Sequence, residues 1–176
     1  MTANKALELR RVFDEERALP LGARSAEQAE SLISIRVSGH AYVVRTSEIS
    51  GLVTDRKIVG FPTPVSELLG IAAVRGVLLP VYSLAGLLGY SAETEQTRWL
   101  ALCGTHEPLA LAFSGFEGYL RVPLGQFYAA GQKDVAQSRV QHVVRDAEMV
   151  RALVSIPLIR EAIQTLCGKN GISKER

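Results

Sequence analysis

Residues 67–84 read ELLGIAAVRGVLLPVYSL, which is two apolar runs joined by the pair Arg75-Gly76. Because glycine permits a turn with positive φ, the pattern predicts a hairpin with this pair at its tip. Pro80 cannot donate to a sheet ladder, which predicts a sheet edge or a bulge within the second run. An arginine raised on such a turn offers a rigid five-donor fork to a partner's carboxylate or carbonyl. The alternative is a surface arginine that only solvates the hairpin.

Length and composition fit one domain, or two small lobes that share a core. Of the 176 residues, 47% are hydrophobic and 22% are charged, so the chain can bury a core. A net charge of +2, a pI near 8.6 and 6% aromatic residues argue against a nucleic-acid binder. No run reaches about 18 apolar residues and the first residues are charged, so we expect a cytoplasmic protein without membrane insertion.

A two-residue hydrophobic period predicts that most of the chain is β-strand. Ile33, Ile35 and Val37 alternate with polar residues before a glycine turn, and alternation resumes after it, which is typical of a β-hairpin. Further short strands are expected at 99–103, 109–113, 119–122 and 152–156, and a loop is expected over 125–139. The pattern predicts a mainly β fold of two small barrels packed side by side, about 32–90 and 97–156, as a weak internal duplication.

The N-terminal residues 1–31 are expected to form a helical leader. Residues 3–18 have one apolar face, made of Ala6, Leu9, Val12 and Phe13. A second, shorter helix is expected over 25–30, with Ser25 as its N-cap. Two arrangements remain open for the leader, which either docks on its own domain or binds a partner.

Two further helices are expected, each near the end of a barrel. A short helical patch of leucines at 84–88 ends at Gly89. A closing helix over 157–167 begins with Pro157, whose missing N–H would be unpaired at a helix start, and ends at Gly168. The charged residues 168–176 are expected to form a frayed tail.

Common signatures of catalysis and of metal or phosphate binding are missing from the sequence. The three histidines, His40, His106 and His142, have no second ligand at metal-binding spacing, and no glycine-rich phosphate loop is present. Cys103 and Cys167 are far apart and are expected to be buried core residues. We therefore expect no enzyme, no metal and no cofactor. An active site assembled from scattered residues stays an alternative.

Residues 70–81 resemble the hallmark of the CheW-like family, a glycine-to-Arg-Gly turn followed by an apolar strand with proline and a short helix. Ser47-Glu48-Ile49 upstream and Phe61-Pro62 between them fit the same pattern, and the resemblance covers about 32–166. The chain departs from the pattern at Ala73, where the family usually has asparagine, and at Ser83, where it often has aspartate. The second half matches less well, with Gln141-His142-Val143 in place of a glycine-rich approach to the last strand.

The resemblance implies two five-stranded SH3-like barrels in a non-catalytic adaptor. Such adaptors tie the cytoplasmic tip of a methyl-accepting chemoreceptor to the regulatory domain of a CheA-type histidine kinase. The positions that match the family's receptor-coupling surface and its turn are Thr46, Glu48, Gly70, Val74, Arg75 and Gly76. A gliding or pilus-motility pathway is an alternative setting for the same adaptor, and a β-barrel nucleic-acid-binding module is an alternative of another class.

Overall fold

The computed structural model describes residues 28–90, 97–104, 107–130, 139–146 and 149–171, and most of them are in strands. In chain order the strands are β1 (Ala29–Val37), β2 (His40–Arg45), β3 (Gly51–Thr54), β4 (Ile58–Val59), β5 (Leu68–Val74), β6 (Val77–Ser83), β7 (Trp99–Cys103), β8 (Leu109–Phe113), β9 (Gly115–Pro123), β10 (Phe127–Ala129), β11 (Val140–Asp146) and β12 (Met149–Val154). Two α-helices are present in the same residues, α1 (Leu84–Leu87) and α2 (Ile156–Gly171), with 3-10 turns at Thr46–Glu48 and Leu124–Gln126. The mainly β class expected from the sequence is confirmed.

The strands form two six-stranded mixed sheets. Sheet A has the order β10-β11-β12-β2-β1-β9, and sheet B has the order β3-β7-β8-β6-β5-β4. Most neighbours are antiparallel, but β12 pairs with β2 in parallel and β6 pairs with β8 in parallel. The edge strands of each sheet, β3 with β4 and β9 with β10, are separated by only three residues along the chain. Because three residues span little more than about 10 Å, each sheet must curve to bring its edges together.

The expected division into contiguous halves, 32–90 and 97–156, differs from the observed sheets. Strands β1 and β2 from the first half belong to sheet A with β9 to β12, whereas β7 and β8 from the second half belong to sheet B. Each sheet also has six strands and not five, because a short connection splits what would be one bent strand into β3 and β4, or into β9 and β10. Local periodicity identifies strands, but it carries no information about which distant strand completes a ladder.

Alternating side chains of single strands contribute to three separate cores. On β8, Leu109, Leu111 and Phe113 lie in a large core between the two sheets and under α2, while Ala110 and Ala112 lie inside sheet B. A third core lies inside sheet A and contains Leu32, Val43, Val122, Val144 and Leu153. The two-residue period noted in the sequence therefore reflects strands that are buried on both faces, each face in a different core.

The ends of the chain differ from expectation. Residues 1–27, which include the expected helix 3–18 and the first half of 25–30, lie outside the described residues. Ala29 and Glu30, expected to be helical, are the first residues of β1 and pair with Pro123 and Val122 of β9. At the other end, α2 continues to Gly171, because Gly168 does not adopt the positive φ of a glycine cap and stays helical. Among the described residues, no helix is long and apolar enough to cross a membrane.

Three smaller expectations are also corrected. The loop expected at 125–139 contains strand β10, which pairs with β11. Pro80 is in an interior strand rather than at a sheet edge, but the parallel ladder with β8 starts only at Val81, so the missing N–H of Pro80 interrupts nothing on that side. Cys103 is buried as expected, whereas Cys167 is exposed on α2.

Candidate functional site

The turn between β5 and β6 has the two-residue geometry expected from the sequence. Arg75 has φ 50° and Gly76 has φ 81°, and the flanking residues Val74 and Val77 are the last pair of the ladder. Positive φ at both central residues is the property of a type I′ hairpin turn, whose twist matches that of the strands. Ser38 and Gly39, between β1 and β2, also both have positive φ. The turn therefore holds the backbone of Arg75 at a fixed place on the tip of the hairpin.

Arg75 itself is exposed and has no partner within the part of the chain that the structure describes. Its side chain makes no hydrogen bond or ion pair there, whereas Arg36, Arg45 and Arg160 each face a carboxylate. A guanidinium carries five N–H donors in a rigid planar fork and is always charged. The donors of Arg75 are thus available to an acceptor on another molecule.

A groove of about 270 Å³ lies beside this turn, and we call it the Arg75 groove. Its walls are mostly apolar, and the hydroxyl of Ser50 donates a hydrogen bond to the carbonyl of Leu102 at 3.1 Å. Val77 is 51% exposed at the groove's rim, although it is a β-branched residue that would be stabilised by burial. The lining residues are Ser50, Val74, Arg75, Val77, Leu79, Leu102, Cys103, Gly104, Pro108 and Leu109. The groove combines an apolar floor with one cation at its edge.

The opposite face of the same hairpin is also apolar and uncovered. Leu78 is 66% exposed and pairs with exposed Ala73, and Val59 on β4 is 52% exposed and pairs with Ile71. Because residues two apart share a face, these side chains form one surface, which we call the outer hairpin face. The sequence signal for it was the uninterrupted apolar run 77–81, in which no polar residue marks a solvent side.

Glu48 lies at the same end of the molecule, but its carboxylate is engaged internally. One oxygen accepts a hydrogen bond from the backbone N–H of Ile156 at 2.8 Å, and the other accepts from Arg45 at 3.3 Å. Arg45 also donates to Glu30 of β1 at 2.9 Å. Ile156 is the first residue of α2, so Glu48 satisfies one of the free N–H groups of a helix start and complements its dipole. Its position two residues before Ser50 places this cap next to the Arg75 groove.

The other four expected site residues divide into internal and exposed ones. Val74 is 3% exposed and packs inside sheet B, and Gly70 is buried with φ 145°. A Cβ on Gly70 would collide with the backbone of Val59, so this glycine allows β4 and β5 to approach. Thr46 is half-buried, and its buried hydroxyl oxygen has no hydrogen-bond partner among the described residues. Gly76 is exposed with open space around it. The structure thus places Arg75 and Gly76 at the surface, whereas the other expected site residues are buried or half-buried.

The groove contains no group suited to bond making. Burial raises the pKa of the Cys103 thiol to about 12, so this cysteine is not a nucleophile near neutral pH. Arg160 packs against Gly104, which lines the groove, but its guanidinium is already paired with Glu107 at 3.5 Å. In the described ranges no cluster of His, Cys, Asp or Glu could hold a metal ion. The arrangement is suited to contact with another molecule.

A larger cavity, about 370 Å³, lies elsewhere and shares no lining residue with the Arg75 groove. Hydroxyl groups of Ser38, Ser66 and Tyr90 line it together with Glu67. Glu67 has a hydrogen bond from its neighbour Ser66, and the Tyr90 hydroxyl is bonded to that of Tyr42. These two contacts serve local structure, while the buried Ser38 hydroxyl has no hydrogen-bond partner among the described residues. The Arg75 groove, which has an exposed cation at its edge, remains the better candidate for a contact site.

Comparisons with known proteins agree with this geometry. A family model described as CheW-like domain matches residues 31–161, and no curated protein matches the sequence. Among solved structures, the scaffolding protein TtCheW from Thermoanaerobacter tengcongensis matches with a TM-score of 0.65 at 12% identity, over 72% of this chain and 88% of that one. At this identity the structural match concerns the fold. The family model, which covers most of the chain, shows that the protein belongs to the CheW-like domain family.

Proposed function

We propose that this protein is a non-catalytic cytoplasmic scaffold that couples chemoreceptors to a CheA-type histidine kinase in chemotaxis-like signalling. The observation that carries the proposal is Arg75, whose backbone is fixed by a type I′ turn at the edge of an apolar groove and whose exposed guanidinium has no partner among the described residues. Membership of the CheW-like family and the fold shared with a scaffolding protein support it. A site that presents contacts and lacks reactive groups is what a scaffold requires.

The chemistry of the Arg75 groove specifies its occupant. An apolar side chain from the cytoplasmic tip of a receptor fills the groove between Val77 and Leu79, and a carboxylate or carbonyl beside it accepts from Arg75. Arginine beside an apolar pocket is a frequent centre of binding energy, and a single such residue contributes about 2 kcal/mol or more. The groove thus selects an amphipathic helical segment with an acceptor at the edge of its apolar face.

The outer hairpin face provides a second contact for the kinase regulatory domain. Leu78 and Val59 are exposed there, on the face opposite to the groove, so two partners can hold one hairpin at once. A receptor can shift the kinase only as far as its contacts differ between the two kinase states, typically ~1–3 kcal/mol of coupling. A rigid hairpin between the partners transmits such a difference without chemistry of its own.

The internal site residues act by holding this hairpin in place. Glu48 caps α2 and Thr46 starts the turn that carries it, so both fix the wall of the groove. Gly70 and Val74 set the packing of β5, and Gly76 completes the turn. In this assignment only Arg75 and the apolar rim touch the receptor directly.

Co-sedimentation with a receptor cytoplasmic fragment and the kinase regulatory domain tests the proposal. Arg75→Glu should weaken receptor association about 30-fold, which corresponds to about 2 kcal/mol, while leaving the melting temperature unchanged. Leu78→Asp should weaken kinase association and leave receptor association intact. Arg121→Glu makes the same charge change at an exposed position on β9 and serves as the matched control. Wild-type binding by Arg75→Glu would remove the groove from the mechanism.

A further inference from the structure

One face of sheet A runs from the core into an open apolar groove. On β12, Val154 is fully buried in the core between the sheets, Ala152 is half-buried, and Val150 is 60% exposed on the same face. Apolar side chains that continue along one strand face from the core to the surface mark a place where another segment can bind. The described residues leave the Val150 end of β12 exposed.

The uncovered region is a groove of about 250 Å³ lined by Tyr128, Val143, Arg145 and Val150, which we call the β10–β12 groove. Tyr128 pairs with Val143, and Arg145 pairs with Val150, so the four side chains lie on one face of three adjacent strands. Neighbouring strands are about 4.8 Å apart, which makes the groove about 10 Å wide, the diameter of one α-helix. Arg145 is exposed and has no ion-pair partner in the described ranges.

The N-terminal part of the chain leaves the domain beside this groove. The carbonyl of Gln28 accepts a hydrogen bond from the N–H of Leu124 at 2.8 Å, at the corner between β9 and β10. Tyr128 follows Leu124 by four residues, so their Cα atoms are at most about 15 Å apart. Leu124 is itself 47% exposed and extends the apolar surface toward the exit point.

The sequence of that N-terminal part matches the groove in chemistry. Leu9, Val12 and Phe13 form the apolar face of the helix expected over 3–18, and Glu16 lies on the same face, four residues after Val12 and three after Phe13. The groove likewise has three apolar residues and one charge of opposite sign, Arg145. Residues 19–27 leave a nine-residue tether, which spans up to about 30 Å when extended.

We propose that residues 3–18 form an amphipathic helix that docks in cis on the β10–β12 groove, with Leu9, Val12 and Phe13 on the apolar floor and Glu16 opposite Arg145. A short tether gives its attached segment an effective concentration in the millimolar range, which favours docking within one chain over docking between two copies. This interaction is separate from the Arg75 groove, and it assigns a function to a segment that precedes the CheW-like domain.

Hydrogen exchange of the 176-residue chain tests the docking. An isolated helix of this length is marginal in water, so amides of 3–18 are protected only when the segment is docked. Leu9→Asp and Val150→Asp should each speed exchange of these amides at least tenfold, and Asp14→Arg, on the other side of the helix, should have little effect. Unchanged exchange in both Asp variants would overturn the proposal.

A charge swap identifies the ion pair and separates cis docking from dimerisation. Glu16→Arg and Arg145→Glu should each speed exchange about two- to fivefold, and the double variant should recover the wild-type rate. Protection that increases with protein concentration would show docking between copies and would contradict docking in cis. Core amides of β8 report on folding in the same experiment, so a variant that unfolds is recognised by their loss of protection.

Discussion

Replacing Glu48 with alanine should lower the free energy of unfolding by about 1.5–3 kcal/mol. The variant leaves the N–H of Ile156 without its acceptor, which costs about 1 kcal/mol at a helix start. It also removes a carboxylate from the positive end of α2, about 0.3–1 kcal/mol, and the ion pair with half-buried Arg45, about 0.2–1 kcal/mol. The Glu48 side chain is only 15% exposed, so water replaces these contacts poorly.

Urea denaturation of the full chain measures this loss, and thermal unfolding should show a decrease of about 3–10 °C. Glu48→Gln is the matched control, because its amide oxygen can still accept from Ile156 while the charge is lost, and its cost should stay below about 1.5 kcal/mol. If Glu48→Ala unfolds like the wild type but no longer binds a receptor fragment, then Glu48 contacts the partner directly and the capping role assigned to it is wrong.

Three further changes test the fold and its charges. Leu111→Ala should cost ~2–5 kcal/mol in denaturant, because Leu111 is fully buried between the sheets, and an unchanged midpoint would contradict that position. Gly70→Ala should cost at least about 2 kcal/mol, because its Cβ would meet the Val59 backbone at a positive φ, and a wild-type stability would show that β4 is free to move. Hydrogen bonds, first from Ser34 and then from Arg36, lower the pKa of Glu117, so its stabilisation is present above the ordinary glutamate pKa and is lost as the pH falls through the lowered one. Glu117→Gln should therefore be less stable than the wild type at neutral pH but equal to it in strong acid, and a difference that persists in acid would refute this account.

Local features of the fold could be predicted because their causes are local. The alternation around the Ser38-Gly39 turn identified the first hairpin, and Arg75-Gly76 identified the second, since positive φ at a two-residue turn requires glycine or a tolerant neighbour. Leu111 and its neighbours on β8 were recognised as a strand by the same alternation. In each case the residues that specify the element are within a few positions of one another.

Features that depend on distant residues could not be predicted in this way. Glu48 caps a helix that begins 108 residues later, so nothing near it in the sequence distinguishes a cap from a surface carboxylate. Gly70 was assigned to a contact surface by the family resemblance, and Val74 because it belongs to the same turn as Arg75, but Gly70 is buried and strand alternation turns Val74 inward. Only Arg75 and Gly76 among the expected residues combine the right sequence with an exposed position.

Sheet A is built from two separate stretches of the chain, with all the strands of sheet B between them, and this division determines when sheet A can be completed during synthesis. Strands β1 and β2 emerge early from the ribosome, but their neighbour β12 ends at Val154, 109 residues after Arg45. At ordinary translation rates, roughly 5–20 s pass between the synthesis of the β1–β2 hairpin and that of β12, and during this time the edge of β2 has no partner strand. Sheet B consists of the consecutive strands β3 to β8 and needs no later strand, whereas sheet A is complete only with β12. A nascent chain that stops before β12 therefore exposes edges of sheet A that other chains or chaperones can bind.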